Sequence, residues 1–250
     1  MITLVPIRGI AEIVPGDCLA DILAAALAAN DLVPRNDDVL VVTSKIVSKA
    51  EDRFRRLDRV TPSDAALDLS ARALKDPRLV QLVLEESTAI VRVALNVIIA
   101  RHRLGLVMAN AGIDASNLGR DRADQVLLLP SDPDASARAL ADALERVGSR
   151  PAVVISDSFG RPWRMGVVNV AVGVSGLPAI VDRRGERDRD GRELEVTQVA
   201  FADMIASAAG LVSGEAAEGV PAVLMRGWTP PAGDAPAVSL VRPVDQDLFL

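Results

Sequence analysis

Residues 37–49 read DDVLVVTSKIVSK. Val39–Val42 is an unbroken apolar run, β-branched at all but one position, bounded by acids on one side and Thr43-Ser44-Lys45 on the other. So short a run, rich in valine, reads as a buried strand that breaks where the polar residues begin. Ala152–Ile155 repeats the pattern, ending at Ser156-Asp157-Ser158. Ile90–Val93 and Val97–Ala100 lie close enough for a hairpin, and Val167–Val174, Ala179–Val181 and Pro221–Met225 read as further strands. Helical spacing joins Leu19, Ile22, Leu23, Ala26 and Leu27, with Asp17 as the expected cap and an end at Asn30. Further helices are expected from Thr61 (capping, with Pro62 in the first turn), from Asp76-Pro77, from Asp132-Pro133 to Gly148, and from Thr197 to about Val212. Helices and strands do not alternate as strict βαβ units, which predicts a mixed α/β or α+β fold rather than a dinucleotide-binding one. No repeat or low-complexity linker divides the chain.

Composition narrows the function classes. The chain has 250 residues, half hydrophobic and a quarter charged, with a net charge of −6. This is a globular composition, against the basic surplus of a general nucleic-acid binder. No apolar run is long enough to span a bilayer and no secretory signal is visible, so neither nucleic acid nor membrane is an expected partner. The single Cys18 fits a reducing compartment, making the cytoplasm the expected location. Two cationic clusters stand out: Lys45, Lys49, Arg53, Arg55 and Arg56, then Arg183, Arg184, Arg187, Arg189 and Arg192, the second reading best as a solvated face with interleaved acids.

Two carboxylates follow strand-like runs, Asp114 within NAGIDASN (110–117) and Asp157 after AVVIS. Acids at strand ends can share one hard divalent cation, to which the Ser158 hydroxyl would add a ligand; equally, each can cap a turn or helix. One histidine, His102, and one cysteine make a zinc site a poor fit. Ser158–Arg164 gathers Arg161, Arg164, Phe159 and Trp163 in an expected turn, suited to an anion and a planar group. Lys45 and Lys49 are point charges for phosphate, and the small-residue loop after Val212 could admit a nucleotide. With no P-loop or Gly-x-Gly-x-x-Gly fingerprint, these residues alone indicate a metal-dependent enzyme acting on an anionic substrate.

The blocks PIRGIAEIVPGD (6–17), DVLVVTSKIVSKAE (38–51), ANAGIDASN (109–117), VISDSFGRPWR (154–164), GRELEVT (191–197) and GVPAVLMRG (219–227) together resemble the coenzyme F420-0:L-glutamate ligase family, in order and over nearly the whole length. The resemblance implies an α+β unit of two intimately associated lobes in an intertwined homodimer, in the stand-alone form without a fused flavin-binding domain, spanning 1–250 as one catalytic unit. It implies a ligase that joins L-glutamate through a γ-linkage to the deazaflavin precursor F420-0, using GTP and two Mg²⁺ or Mn²⁺ ions, with K⁺ as a further candidate cation, through an acyl phosphate.

Carried onto this chain, the resemblance makes Asp114 and Asp157 ligands of one metal, and Ser158, where relatives often have Thr, a ligand of a second that Glu215 would also reach. Asp114, Asp157 and Lys45 become the catalytic set. Ile10, Ala11, Glu12 and Ile13 would line the nucleotide pocket, with Ser44, Lys45, Lys49 and Asn117 at its phosphates. The loop Leu211, Val212, Ser213, Gly214, Glu215, Ala216, Ala217 and Glu218 would close over it. The same acids would also serve a metal-dependent phosphohydrolase, needing no glutamate, or a non-catalytic nucleotide- or deazaflavin-binding protein.

Overall fold

The computed structural model describes residues 1–119, 122–146 and 148–247. Its centre is a five-stranded sheet in the order β1 (Thr3–Pro6), β12 (Ala222–Arg226), β2 (Val39–Thr43), β8 (Ala152–Arg161), β9 (Arg164–Ser175). Only the β2–β8 pair is parallel; the other three pairs are antiparallel, and the fold is α+β. Leu40 and Val42 face a core made with α1 (Leu19–Ala29), α2 (Ser44–Ala50) and α5 (Pro133–Glu145). Val39 and Val41 face the opposite core, filled by Ala202, Ile205, Ala206 and Ala209 of α6 (Phe201–Ser213). Both faces of β2 are covered, so every one of its first four side chains is apolar.

A smaller unit packs α3 (Asp64–Ala73) and α4 (Pro77–Glu85) on the three-stranded sheet β4 (Ser87–Ala94), β5 (Val97–His102), β6 (Val107–Ala109), around Leu69, Val80, Val83, Ile98 and Ala100. Asp76 and Asp132 cap α4 and α5 by accepting from Arg78 N–H and Ala135 N–H, the arrangement an Asp-Pro start foretells. Three helix starts differ from expectation. Asp17 accepts from Val14 N–H and leaves Cys18 at the N-cap of α1. Ser63, not Thr61, caps α3 by accepting from Ala66 N–H. At 198–200 the expected start of α6 is instead strand β11 (Gln198–Ala200), paired with β10 (Ile180–Asp182).

Strand β9 is the sheet's outer edge, and two of its N–H groups are taken by half-buried acids of the flanking helices: Ala171 N–H donates to Asp203 and Val174 N–H to Asp134. Carboxylates on an edge strand block its pairing with another chain. Here α5 comes so near that a Cβ on Gly173 would sit 2.3 Å from the Pro133 carbonyl oxygen. Gly173→Ala is therefore expected to lower stability by about 1–3 kcal/mol; an unchanged thermal melting curve would show that α5 yields freely.

Candidate active site

Strand β2 ends at Thr43, and the chain turns at once into α2, whereas β8 continues for five residues beyond the matching Ser156 to form a long hairpin with β9. A cavity of about 690 Å³ opens where β2 leaves β8. The parallel register Thr43↔Ser156 sets Ser44 beside Asp157, and the Ser44 hydroxyl donates to Asp157 Oδ1 at 2.8 Å. One helical turn separates Lys45 from Lys49, so both ammonium groups line the same wall.

Asp114 arrives from across the cavity. Asn110, Ala111 and Gly112 all have positive φ, folding the chain tightly after β6. Gly112 has a φ of +67°, which favours glycine, and a Cβ there would press on the Met108 and Leu129 side chains. Asp114 then bridges to Leu127 through paired backbone hydrogen bonds, its carboxylate 2.6 Å from Lys45 Nζ. Burial alone would raise the Asp114 carboxyl, but the Lys45 ammonium and the Ser116 N–H and hydroxyl hold it below the ordinary range. Asp157 shifts the other way, to about 6: it lines the cavity closely surrounded by protein atoms, desolvation outweighs the Ser44 and Ser158 hydrogen bonds, and Asp114 adds repulsion.

The N-terminal segment Ile10, Ala11, Glu12 and Ile13 forms another wall, where Glu12 pairs with the buried Lys49 ammonium. The segment 213–218 closes the rim. Ser158 Oγ donates to Glu215 Oε2 at 2.6 Å, and Asn117 Nδ2 donates to the Ala216 carbonyl at 3.1 Å. Asn117 thus ties two loops together rather than standing free. Glu218 accepts from Ala216 N–H within the loop.

Several expected placements change. Leu211, Val212 and Ser213 belong to the last turn of α6, not the loop; Leu211 faces solvent and Val212 packs on the α6 core, and of the three only Ser213 lines the cavity. Asp157 lies inside β8 rather than after it, because pairing with β9 carries the strand on. The preceding strand of Asp114 is only Val107–Ala109 and half exposed. Arg161, Trp163 and Arg164 sit at the hairpin tip, outside the cavity, and of that segment's aromatic residues only Phe159 lines it. In the first cationic cluster Arg53 pairs with Glu86 and Arg56 with Asp58, while Arg183, Arg184 and Arg189 of the second pair with local acids. Unforeseen lining residues include Ser116, Ser156 and Asn169; the last was signalled by being the one amide in the apolar run 167–174.

The profile of the F420-0:Gamma-glutamyl ligase family matches residues 9–227. The chain belongs to this family. Proteins named coenzyme F420:L-glutamate ligase are similar to it: that of Methanothermobacter thermautotrophicus is 46% identical over 99% of this chain and 98% of its own length. Those of Methanopyrus kandleri and Archaeoglobus fulgidus are 45% and 41% identical, over 94% and 98% of this chain and 92% and 94% of their own lengths. The segment matched by the F420-0:gamma-glutamyl ligase profile carries every wall of the cavity.

A divalent cation suits this donor set. Glu12, Asp114, Asp157, Glu215 and Glu218 line the cavity against Lys45 and Lys49, a surplus of negative charge that repels a polyanionic substrate unless cations intervene. Among the described residues no three His, Cys, Asp or Glu side chains are grouped to hold an ion alone. Mg²⁺-type sites use one or two carboxylates and take their remaining oxygens from water and phosphate. Asp114 and Asp157 supply that minimum, with Lys45 already holding a positive charge against Asp114.

Proposed function

We propose that this chain is a cytoplasmic ligase that adds L-glutamate, through its amine, to the terminal carboxylate of F420-0, consuming GTP. The carrying observation is the convergence of Asp114, Asp157, Ser44, Lys45 and Lys49, from three separate segments, on one cavity large enough for a nucleotide. The precursor carboxylate attacks the γ-phosphorus of GTP, releasing GDP and forming an acyl phosphate. The glutamate amine then attacks the acyl carbon; phosphate leaves, a proton is lost, and an amide remains. Asp114 and Asp157 would hold Mg²⁺ or Mn²⁺, with Ser158 and Glu215 at a second ion, and K⁺ as a further candidate. Such ions neutralise phosphate charge as it shifts to the leaving group. Lys45 and Lys49 offer ammonium groups to phosphate oxygens once released from Asp114 and Glu12, and the 213–218 segment excludes water from the acyl phosphate.

The test is incubation with F420-0, L-glutamate, GTP and Mn²⁺, followed by product masses. Stepwise glutamate additions support the ligase and count the residues added. GTP loss without transfer would replace it with a phosphohydrolase, and no turnover with tight binding would leave a nucleotide- or deazaflavin-binding protein.

The same reading includes a homodimer. Trp163, Met165 and Val167, 85%, 98% and 52% exposed, crowd the tip of the β8–β9 hairpin. Apolar side chains so displayed suit a protein interface. The double change Met165→Asp and Val167→Asp is expected to halve the sedimenting mass; an unchanged mass would remove the hairpin from the interface.

A further inference from the structure

We propose that Asn169 is a positioning residue that locks Glu215 and Ser158 into one unit and so sets the cation affinity of the cavity, an inference that rests on the cation reading above. Asn169 is 7% exposed, in a run otherwise composed of valine, alanine and glycine. The β8–β9 register sets it directly opposite Ser158. Its Nδ2 donates to Glu215 Oε1 and reaches Ser158 Oγ at 3.4 Å, while Ser158 Oγ donates to the other carboxylate oxygen, Oε2. The three side chains close a ring. Glu215 otherwise belongs to an exposed loop, so what fixes its rotamer is this amide together with the Ser158 hydroxyl, which the amide also reaches.

Helix α6 is shaped around the amide. Ser207 Oγ donates to the main-chain carbonyl of Asn169 at 2.7 Å, and a Cβ on Gly210 would lie 2.9 Å from the carbon and oxygen of its side-chain amide. Glycine within a helix costs about 1 kcal/mol relative to alanine, so its presence there answers a steric demand. The amide chemistry is equally specific. An aspartate at 169 would present another acceptor to Glu215, with no proton to give.

Two variants attack the ring from different sides: Asn169→Leu removes the donor at similar volume, and Gly210→Ala pushes the amide aside while improving helix propensity. Amide hydrogen exchange over 213–219 and Mn²⁺ binding, followed by electron paramagnetic resonance of the free ion, are the readouts. Both variants are expected to speed exchange of the loop but not of α1, and to weaken Mn²⁺ binding by about tenfold or more. In a Glu215→Gln background, Asn169→Leu is expected to add nothing further, as members of one network do. Loop exchange at the parental rate in both variants, or fully additive losses, would overturn the proposal. If the unaltered protein binds no Mn²⁺, the cation reading fails by itself and the positioning claim fails with it in its cation part, while faster loop exchange would still support the lock on Glu215.

Discussion

The Asp157→Asn variant is expected to lose glutamate addition by about 10²–10³-fold or more while melting no lower than the parent chain. The two effects separate because Asp157 is held in a setting that works against its charge. Burial lifts its carboxyl from 3.8 to about 6, and Asp114 adds to the lift. A carboxyl raised on folding weakens the folded state at pH values above its folded pKa, so removing the charge relieves the fold there. Asparagine keeps an oxygen for the Ser44 hydroxyl, which now sits 2.8 Å from Oδ1, and therefore keeps the local packing. What vanishes is the negative charge that the proposed cation needs. Product masses and calorimetry at pH 8 on the same preparation check both halves. A variant that still adds glutamate would dismiss the carboxylate from the chemistry, and one that melts far lower would make its role structural.

Glu86→Leu is expected to have the largest effect on stability, a loss of about 3–5 kcal/mol. Glu86 Oε2 lies 2.9 Å from Arg53 Nη2, 3.1 Å from Arg103 Nε and 3.3 Å from Nε2 of the fully buried His102. The guanidiniums also bind the chain beyond β7 (Gln125–Leu127): Arg53 donates to the Leu129 carbonyl and Arg103 to those of Pro130 and Ser131. One carboxylate thus joins the three-stranded unit to the segment entering α5, and leucine would leave the largely buried Arg53 guanidinium, and the more exposed one of Arg103, without their carboxylate. Burial works to raise the Glu86 carboxyl, yet His102, Arg53 and Arg103 bring it from 4.5 to about 2. A carboxyl lowered on folding stabilises above its unfolded pKa, so this contribution is whole above about pH 4.5 and fades as pH falls towards about 2. Urea unfolding from pH 7 to pH 3 should show the parent losing stability in that window and Glu86→Leu losing less. Parallel curves would assign the acid sensitivity elsewhere.

Local chemistry wrote the parts of this fold that depend on neighbours in sequence. The Asp-Pro pairs at 76–77 and 132–133 start helices because the aspartate accepts an N–H two or three residues on and the proline needs none of its own. The hairpin of β4 and β5 turns on Leu95-Asn96, and Asn96 takes a positive φ. The motif blocks likewise marked most cavity-lining residues, since Ile10–Ile13, Ser44, Lys45, Lys49, Asp114, Asn117, Asp157 and Ser158 do meet there.

Other features were settled by contacts between distant segments. Helix α2 is only seven residues long, with Ser or Lys at four of them, too few apolar positions to show a helical period, which is why it was hidden behind β2. The polar residues Ser156 to Ser158 look like a strand's end, yet β9 supplies partners and carries β8 to Arg161, taking Trp163 and Arg164 away from the cavity. Asn169 acquired a role only when that pairing set it opposite Ser158 and α6 brought Glu215 over it. The sequence by itself determined the α+β class, the principal strands and helices and the acids that face each other. Tertiary structure alone decided where β2 parts from β8, because strand length and register follow from hydrogen bonds to chain far away in sequence, and that parting is what opens the site.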